Sequence, residues 1–183
     1  QFLIEAEELK RVNKRAYRHE YLGEATGTGG SIFENVHTEQ LTDLQISQFD
    51  RRYMGIDWGY YPDPFAWNLM HYDAARRILY IFDELRGYKL SNQQSADALK
   101  EKGVTGRDLI TADSAEPKSI ADYREYGFYI RAVEKFPGSV DYTMKWLQGL
   151  NAIVIDPDRC PHTAMEFLEY EYERTKEGEI MTG

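Results

Sequence analysis

The sequence predicts a mixed α/β sheet with helices on its faces, and three observations carry that prediction. Between residues 52 and 85, three runs rich in aromatic and aliphatic side chains follow one another closely: RYMGIDWG, FAWNLMHYD and RILYIFDEL. Beyond residue 90, shorter strand-like runs alternate with segments carrying helix start and stop signals. A strand that returns to the same sheet after a helix must cross over, so the later strands are expected to lie parallel.

Taken in order, residues 2–12 place Phe2, Leu3, Ala6, Leu9 and Val12 at helical spacing, an amphipathic helix. GEATGTGGS, residues 23–31, carries four glycines but no closing Gly-Lys-Ser/Thr, so it reads as a connector and not as a phosphate loop. Residues 1–50 are therefore expected to be a helical lead-in and linker, and 51–183 the folded domain. The strand over 65–73 is joined to that over 77–85 by DAAR, a hairpin turn that makes the two antiparallel. Ser91 and Gln94 form a capping box, and Gly103 stops the helix they open. DLITAD (108–113) is a fourth strand. A helix over 116–126 accepts Pro117 in its first turn and ends before Gly127. FYIRAV (128–133) is a fifth strand, Ser139 is expected to cap a helix running to 149, and NAIVID (151–156) is a sixth strand. Thr163 and Glu166 have capping-box spacing and are expected to open the last helix.

At 183 residues, with 42% hydrophobic and 14% aromatic residues, the chain can bury a core without staples. No apolar run approaches the roughly 20 residues of a bilayer span, and Cys160 stands alone, so a cytosolic protein without disulfides is expected. The net charge of −9 argues against unaided nucleic-acid binding, unless part of the negative charge is gathered where a divalent cation neutralises it.

Position decides that point. Three apolar strands end in an aspartate: Asp57 after MGI, Asp113 after LITA and Asp156 after AIVI. Ligands of open α/β sheets sit at the carboxyl ends of strands. If the first and fourth strands are parallel neighbours, Asp57 and Asp113 face one another, and two such carboxylates call for a hard cation, magnesium or manganese. Each aspartate is also the residue that turns a chain through its own hydrogen bonds, and Asp156, followed by Pro157, fits that role best. Glu84 is a weaker acidic candidate, read as exposed, and Lys135 a candidate phosphate contact. The four histidines lack metal-ligand spacing, and no GxSxG or Cys–His dyad supports nucleophilic acyl chemistry. Trp58, Trp67 and Trp146 are expected in the core; Arg51–Arg52 and Arg76–Arg77 are expected to be solvated.

YRHEYLGEATGTGGSIF (17–33), GIDWGYYPDPFAW (55–67), ITADSAEPKSI (110–120), EKFPGSV (134–140) and DRCPHTAMEFLEYEYE (158–173) resemble, in order, segments of the large terminase subunit of tailed double-stranded-DNA phages. That family joins an ATP-driven DNA motor to a nuclease of ribonuclease H-like fold. The resemblance implies that this chain is the nuclease half, with its first residues similar to the end of the motor and no Walker motif of its own. It implies metal-binding roles for Asp57 and Asp113, and two-metal hydrolysis of double-stranded DNA with the ions about 3.5–4 Å apart. Implied partners are the motor domain, the small terminase subunit and the portal, in the cytoplasm of an infected or prophage-bearing bacterium, with no membrane. The family's third acid lies on a C-terminal helix, in a segment with a histidine and an aspartate; this sequence ends in EGEIMTG before one, and Asp156 does not match the position.

Two other readings stand beside it. A metal-free docking module of the packaging machinery would keep the fold without the chemistry. GIDWG also resembles the phosphate-binding turn of actin-like ATPases and sugar kinases, which need a second duplicated half for which 183 residues leave no room.

Overall fold

The computed structural model describes residues 31–170. The helix expected over 2–12 and the glycine-rich stretch up to residue 30 lie outside the described residues, as do residues 171–183. One seven-stranded sheet contains β1 (Val36–Thr38), β2 (Arg52–Asp57), β3 (Phe65–Asp73), β4 (Ile78–Gly87), β5 (Leu109–Ala112), β6 (Tyr129–Ala132) and β7 (Ala152–Ile155). Across the sheet they run β1-β7-β4-β3-β2-β5-β6. Only β3 is antiparallel to its neighbours, and the other four pairings are parallel.

The helices are α1 (Asp43–Ser47), α2 (Asn92–Glu101), α3 (Pro117–Glu125), α4 (Ser139–Gln148) and α5 (Pro161–Glu169). The side chain of Ser91 and the backbone N–H of Gln94 form the expected cap of α2, completed by Ser91 N–H donating to Gln94 Oε1. Pro117 opens α3, and Gly103 and Gly127 take the left-handed backbone that ends α2 and α3.

Several elements differ from the sequence reading. β1 and α1 fall within the segment read as lead-in and linker. Three residues, VHT, are too few to show a period, yet β1 extends the sheet by pairing with β7. Ser139 does not cap α4: it is the first helical residue, and left-handed Gly138 precedes it. Thr163 does not cap α5 either, because Pro161 starts that helix and the Thr163 hydroxyl donates to Glu84. Trp146 is 39% exposed on α4, against Tyr72, whereas Trp67 is buried. The arginine pairs are not simply solvated. Arg52 donates to the carbonyls of Ile46 and Phe49 at the end of α1, and Arg77 donates to that of Gly149.

Strand alternation sorts the core onto two faces. Ile56, Trp67, Ile110, Ala112 and Ile130 pack on one side against Leu99 of α2 and Tyr123 of α3. Leu79, Ile81, Ile153 and Ile155 pack on the other with Ala164 and Leu168 of α5. A β-bulge interrupts this order. Leu69 pairs with Asp83 and Met70 with Ile81, leaving Phe82 as the extra residue of β4. Phe82 joins Leu41 and Val154, and beyond it the alternation is reversed. Asp83 thus meets Lys102 at the end of α2 (2.7 Å), while Glu84 turns to α5. No helix among the described residues is long and apolar enough to cross a membrane.

The shared wall beneath β2 and β5 sets the site geometry. Ile110→Ala, at a fully buried position, is expected to cost about 2–5 kcal/mol in urea unfolding. Loss of under half a kilocalorie would place the core elsewhere.

Candidate active site

β2 and β5 lie side by side and parallel, with Met54 opposite Ile110, Gly55 opposite Thr111 and Ile56 opposite Ala112. The next residue on each strand is an aspartate, and the ladder carries on one step further, the Asp113 N–H donating to the Ile56 carbonyl (3.0 Å). Ile56 and Ala112 both point into the core, so alternation turns Asp57 and Asp113 to the opposite side together. β6 delivers a cation to the same place. The Val133 N–H bonds the Ala112 carbonyl beyond the end of β6, and two residues later the Lys135 ammonium lies 2.6 Å from Asp113 Oδ1.

The two acids are held differently. The Lys135 ammonium, with the N–H groups of Ala115 and Ser114, holds the Asp113 carboxyl below its ordinary value. Although much of the Asp57 side chain meets solvent, loss of hydration pushes its carboxyl above the ordinary value. The charges of Asp113 and Asp63 add to that rise, and Lys135 opposes it. Asp57 thus has negative charge beside it that one lysine does not fully offset. The donor set is carboxylate oxygen alone, which suits a hard cation such as magnesium or manganese. Among the described residues, no cluster of three or more His, Cys, Asp or Glu side chains has metal-binding geometry, so the pair is two acids and not a triad.

The remaining sequence candidates go elsewhere. Asp156 is 2% exposed and takes the turn role: Oδ1 accepts from the N–H groups of Asp158 and Arg159, and Oδ2 from that of Leu41. Glu84 is not an exposed acid. Its two oxygens accept from the N–H groups of His162 and Thr163 and from the Thr163 hydroxyl, so it caps the start of α5. Cys160 is buried, its thiol is pushed up by that burial, and His162 faces Arg86. Two contributors escaped the sequence reading. Trp58 donates its indole N–H to the Asp113 carbonyl (3.0 Å), tying the loop after β2 to the end of β5. Asp63 adds negative charge next to Asp57. The run YPDP signals a turn, but nothing in it says that the turn folds back toward the acid.

A family model described as the terminase RNase H-like domain matches residues 57–182, from the first of these acids onward. The chain belongs to that family. It is 43% identical over 182 residues to the large terminase subunit of Bacillus phage SPP1, covering 97% of this chain and 43% of that protein. It is 34% identical over 128 residues to the PBSX phage terminase large subunit of Bacillus subtilis (strain 168), covering 69% of this chain and 29% of that one. The chain therefore spans less than half the length of these curated relatives. Among solved structures it matches the nuclease domain of the SPP1 large terminase, crystallised with bound manganese, with a TM-score of 0.75 and 38% identity. That match covers 81% of this chain and 86% of that one. The terminase domain is thus a ribonuclease H-like α/β fold, with Asp57 and Asp113 at adjacent strand ends of its sheet.

Two measurements check the electrostatics of this terminase domain. In carboxyl-detected NMR titrations of the metal-free protein, Lys135→Met is expected to move the Asp113 carboxyl up toward its ordinary value and Asp57 higher still. The folded state binds the Asp57 proton more tightly than the unfolded chain, so ionised Asp57 weakens the fold above the carboxyl range and has no effect below it. Asp57→Asn is therefore expected to raise Tm slightly near neutrality without metal. That gain should vanish as the pH falls below the ordinary aspartate range.

Proposed function

We propose that this terminase domain is a metal-dependent endonuclease that cuts concatemeric double-stranded DNA during phage DNA packaging. One observation carries the proposal: two aspartates held side by side on parallel strands, in a fold that closely matches a nuclease domain crystallised with manganese. Asp57 and Asp113 would hold magnesium or manganese. When bound, such ions supply a water activated for attack on the phosphodiester and offset the charge on the leaving 3′ oxygen.

The chain's own residues do the placing. Asp113, kept ionised by Lys135 and the turn N–H groups, is ready to ligate at any physiological pH. Asp57 ligates as a carboxylate, and its carboxyl lies above the ordinary value, so metal affinity and cutting should both fall as the pH drops through that range. The Lys135 ammonium, 2.6 Å from Asp113 and 55% exposed, would be available to the scissile phosphate if Asp113 were neutralised by a bound cation. Contacts of this kind go to the backbone and carry no base information, so little sequence preference is expected. In a chain of net charge −9, affinity for DNA rests on the metal, on local cations and on partners. Those partners are the packaging motor, to which residues ahead of the sheet would connect, the small terminase subunit and the portal.

That two acids, and not three, converge among the described residues leaves a second reading, a docking module that binds metal weakly and cuts nothing. Supercoiled plasmid with manganese separates the two. The nuclease reading expects nicking that Asp57→Ala and Asp113→Ala each reduce by roughly a hundredfold or more. Variants that cut as well as the parent would remove it.

A further inference from the structure

The loop between β2 and β3 leads from Asp57 directly into Trp58, Gly59, Tyr60, Tyr61 and the cis Tyr61–Pro62 peptide. Tyr60 and Tyr61 are 60% and 68% exposed, and Tyr88, just beyond β4, is 51% exposed. The strand register places all three at the acids' end of the sheet, because Asp57 pairs with Ala66 and Phe65 with Gly87. The Tyr61 and Tyr88 rings and the Tyr60 backbone are held in place without being buried. The Lys89 N–H bonds the Tyr60 carbonyl (2.7 Å), and the Tyr61 and Tyr88 rings meet edge to face with centroids 6.5 Å apart. The Lys89 ammonium lies 5.2 Å from the Tyr61 centroid, and the Arg86 guanidinium 5.8 Å from that of Tyr88. The loop is drawn tight at Gly59, where any Cβ would strike the Pro64 carbonyl.

Three exposed rings with the exposed Lys89 among them, in an acidic chain, suit a strand whose bases are free and whose backbone is anionic. Ring faces hold unpaired bases by stacking, adjacent cations neutralise phosphates, and no base sequence is required. A fully paired duplex offers its base faces only at its ends, so rings fixed beside the acids are of use where the duplex has opened. Resting on the nuclease reading above, we propose that Tyr60, Tyr61 and Tyr88, with Lys89, form a stacking platform for unpaired nucleotides of the DNA strand that enters the Asp57–Asp113 site. The terminase domain would then engage locally opened or frayed DNA more readily than intact duplex. This makes the tyrosines positioning residues, distinct from the acids.

The test is fluorescence anisotropy with a labelled single-stranded oligonucleotide and the corresponding blunt duplex, at low salt with calcium in place of manganese, alongside plasmid nicking with manganese. Tyr60→Ala combined with Tyr61→Ala is expected to weaken single-strand binding about fivefold or more and duplex binding much less. Tyr61→Phe should bind like the parent, because stacking does not use the hydroxyl. Tyr61→Trp should retain binding and show quenched indole emission when the oligonucleotide is added, a readout that does not depend on the alanine variant folding. A nicking parent whose double variant binds the single strand equally well overturns the platform alone. So does a Tyr61→Phe variant that loses as much as alanine does, which would assign the ring to a hydroxyl–phosphate contact. A parent that neither nicks plasmid nor binds either DNA removes the nuclease reading and the platform with it.

Discussion

The parallel pairing of β2 with β5 is the constraint on which the rest of the site depends. Parallel strands cannot be joined by a tight turn, so the chain must leave the sheet and return through a crossover. Here it runs through the β3–β4 hairpin and α2 before β5 inserts on the far side of β2. The register of Ile56 with Ala112 then fixes which residues come next on each strand, and both are aspartates. A slip of one residue would send one carboxylate into the apolar layer with Ile110 and Leu99. The core that holds this register, Ile56 and Ala112 against α2 and α3, therefore sets where the two carboxylates stand.

Electrostatics completes what topology begins. Asp113 gains an ammonium and turn N–H groups, whereas Asp57 faces Asp113 and Asp63 with only partial relief from Lys135. A site built this way keeps unfavourable negative charge together in the fold, which a bound cation would relieve. Such local cost is characteristic of functional positions and runs against what stability alone would select.

Much of this was legible in the residues. The strands over 52–85 declare themselves by composition, the DAAR turn by its length, and Asp57 and Asp113 by ending apolar runs. Their adjacency was conditional on a pairing that no local pattern states, since parallel registers are set by packing 50 or so residues away. β1 was invisible because VHT is an edge strand of three residues whose pairing with β7 depends on the core under Val36 and Ile153. Glu84 looked exposed because a bulge at Phe82, which sequence does not signal, reverses the faces of β4. Thr163 has the right spacing for a cap and a better acceptor across the sheet, a case of tertiary contact overriding a local motif.

The same bulge has a mechanical corollary. Consecutive residues of β4, Asp83 and Glu84, reach in opposite directions: one grips the ammonium at the tail of α2, the other the opening N–H groups of α5. The strand is thereby riveted through its thickness, ionic and hydrogen-bonded fasteners reinforcing layers that are held mainly by apolar packing. Shear between the two helical layers would load these oxygens, which lie only two or three residues along β4 from the level of Asp57 and so brace the sheet close to the two acids.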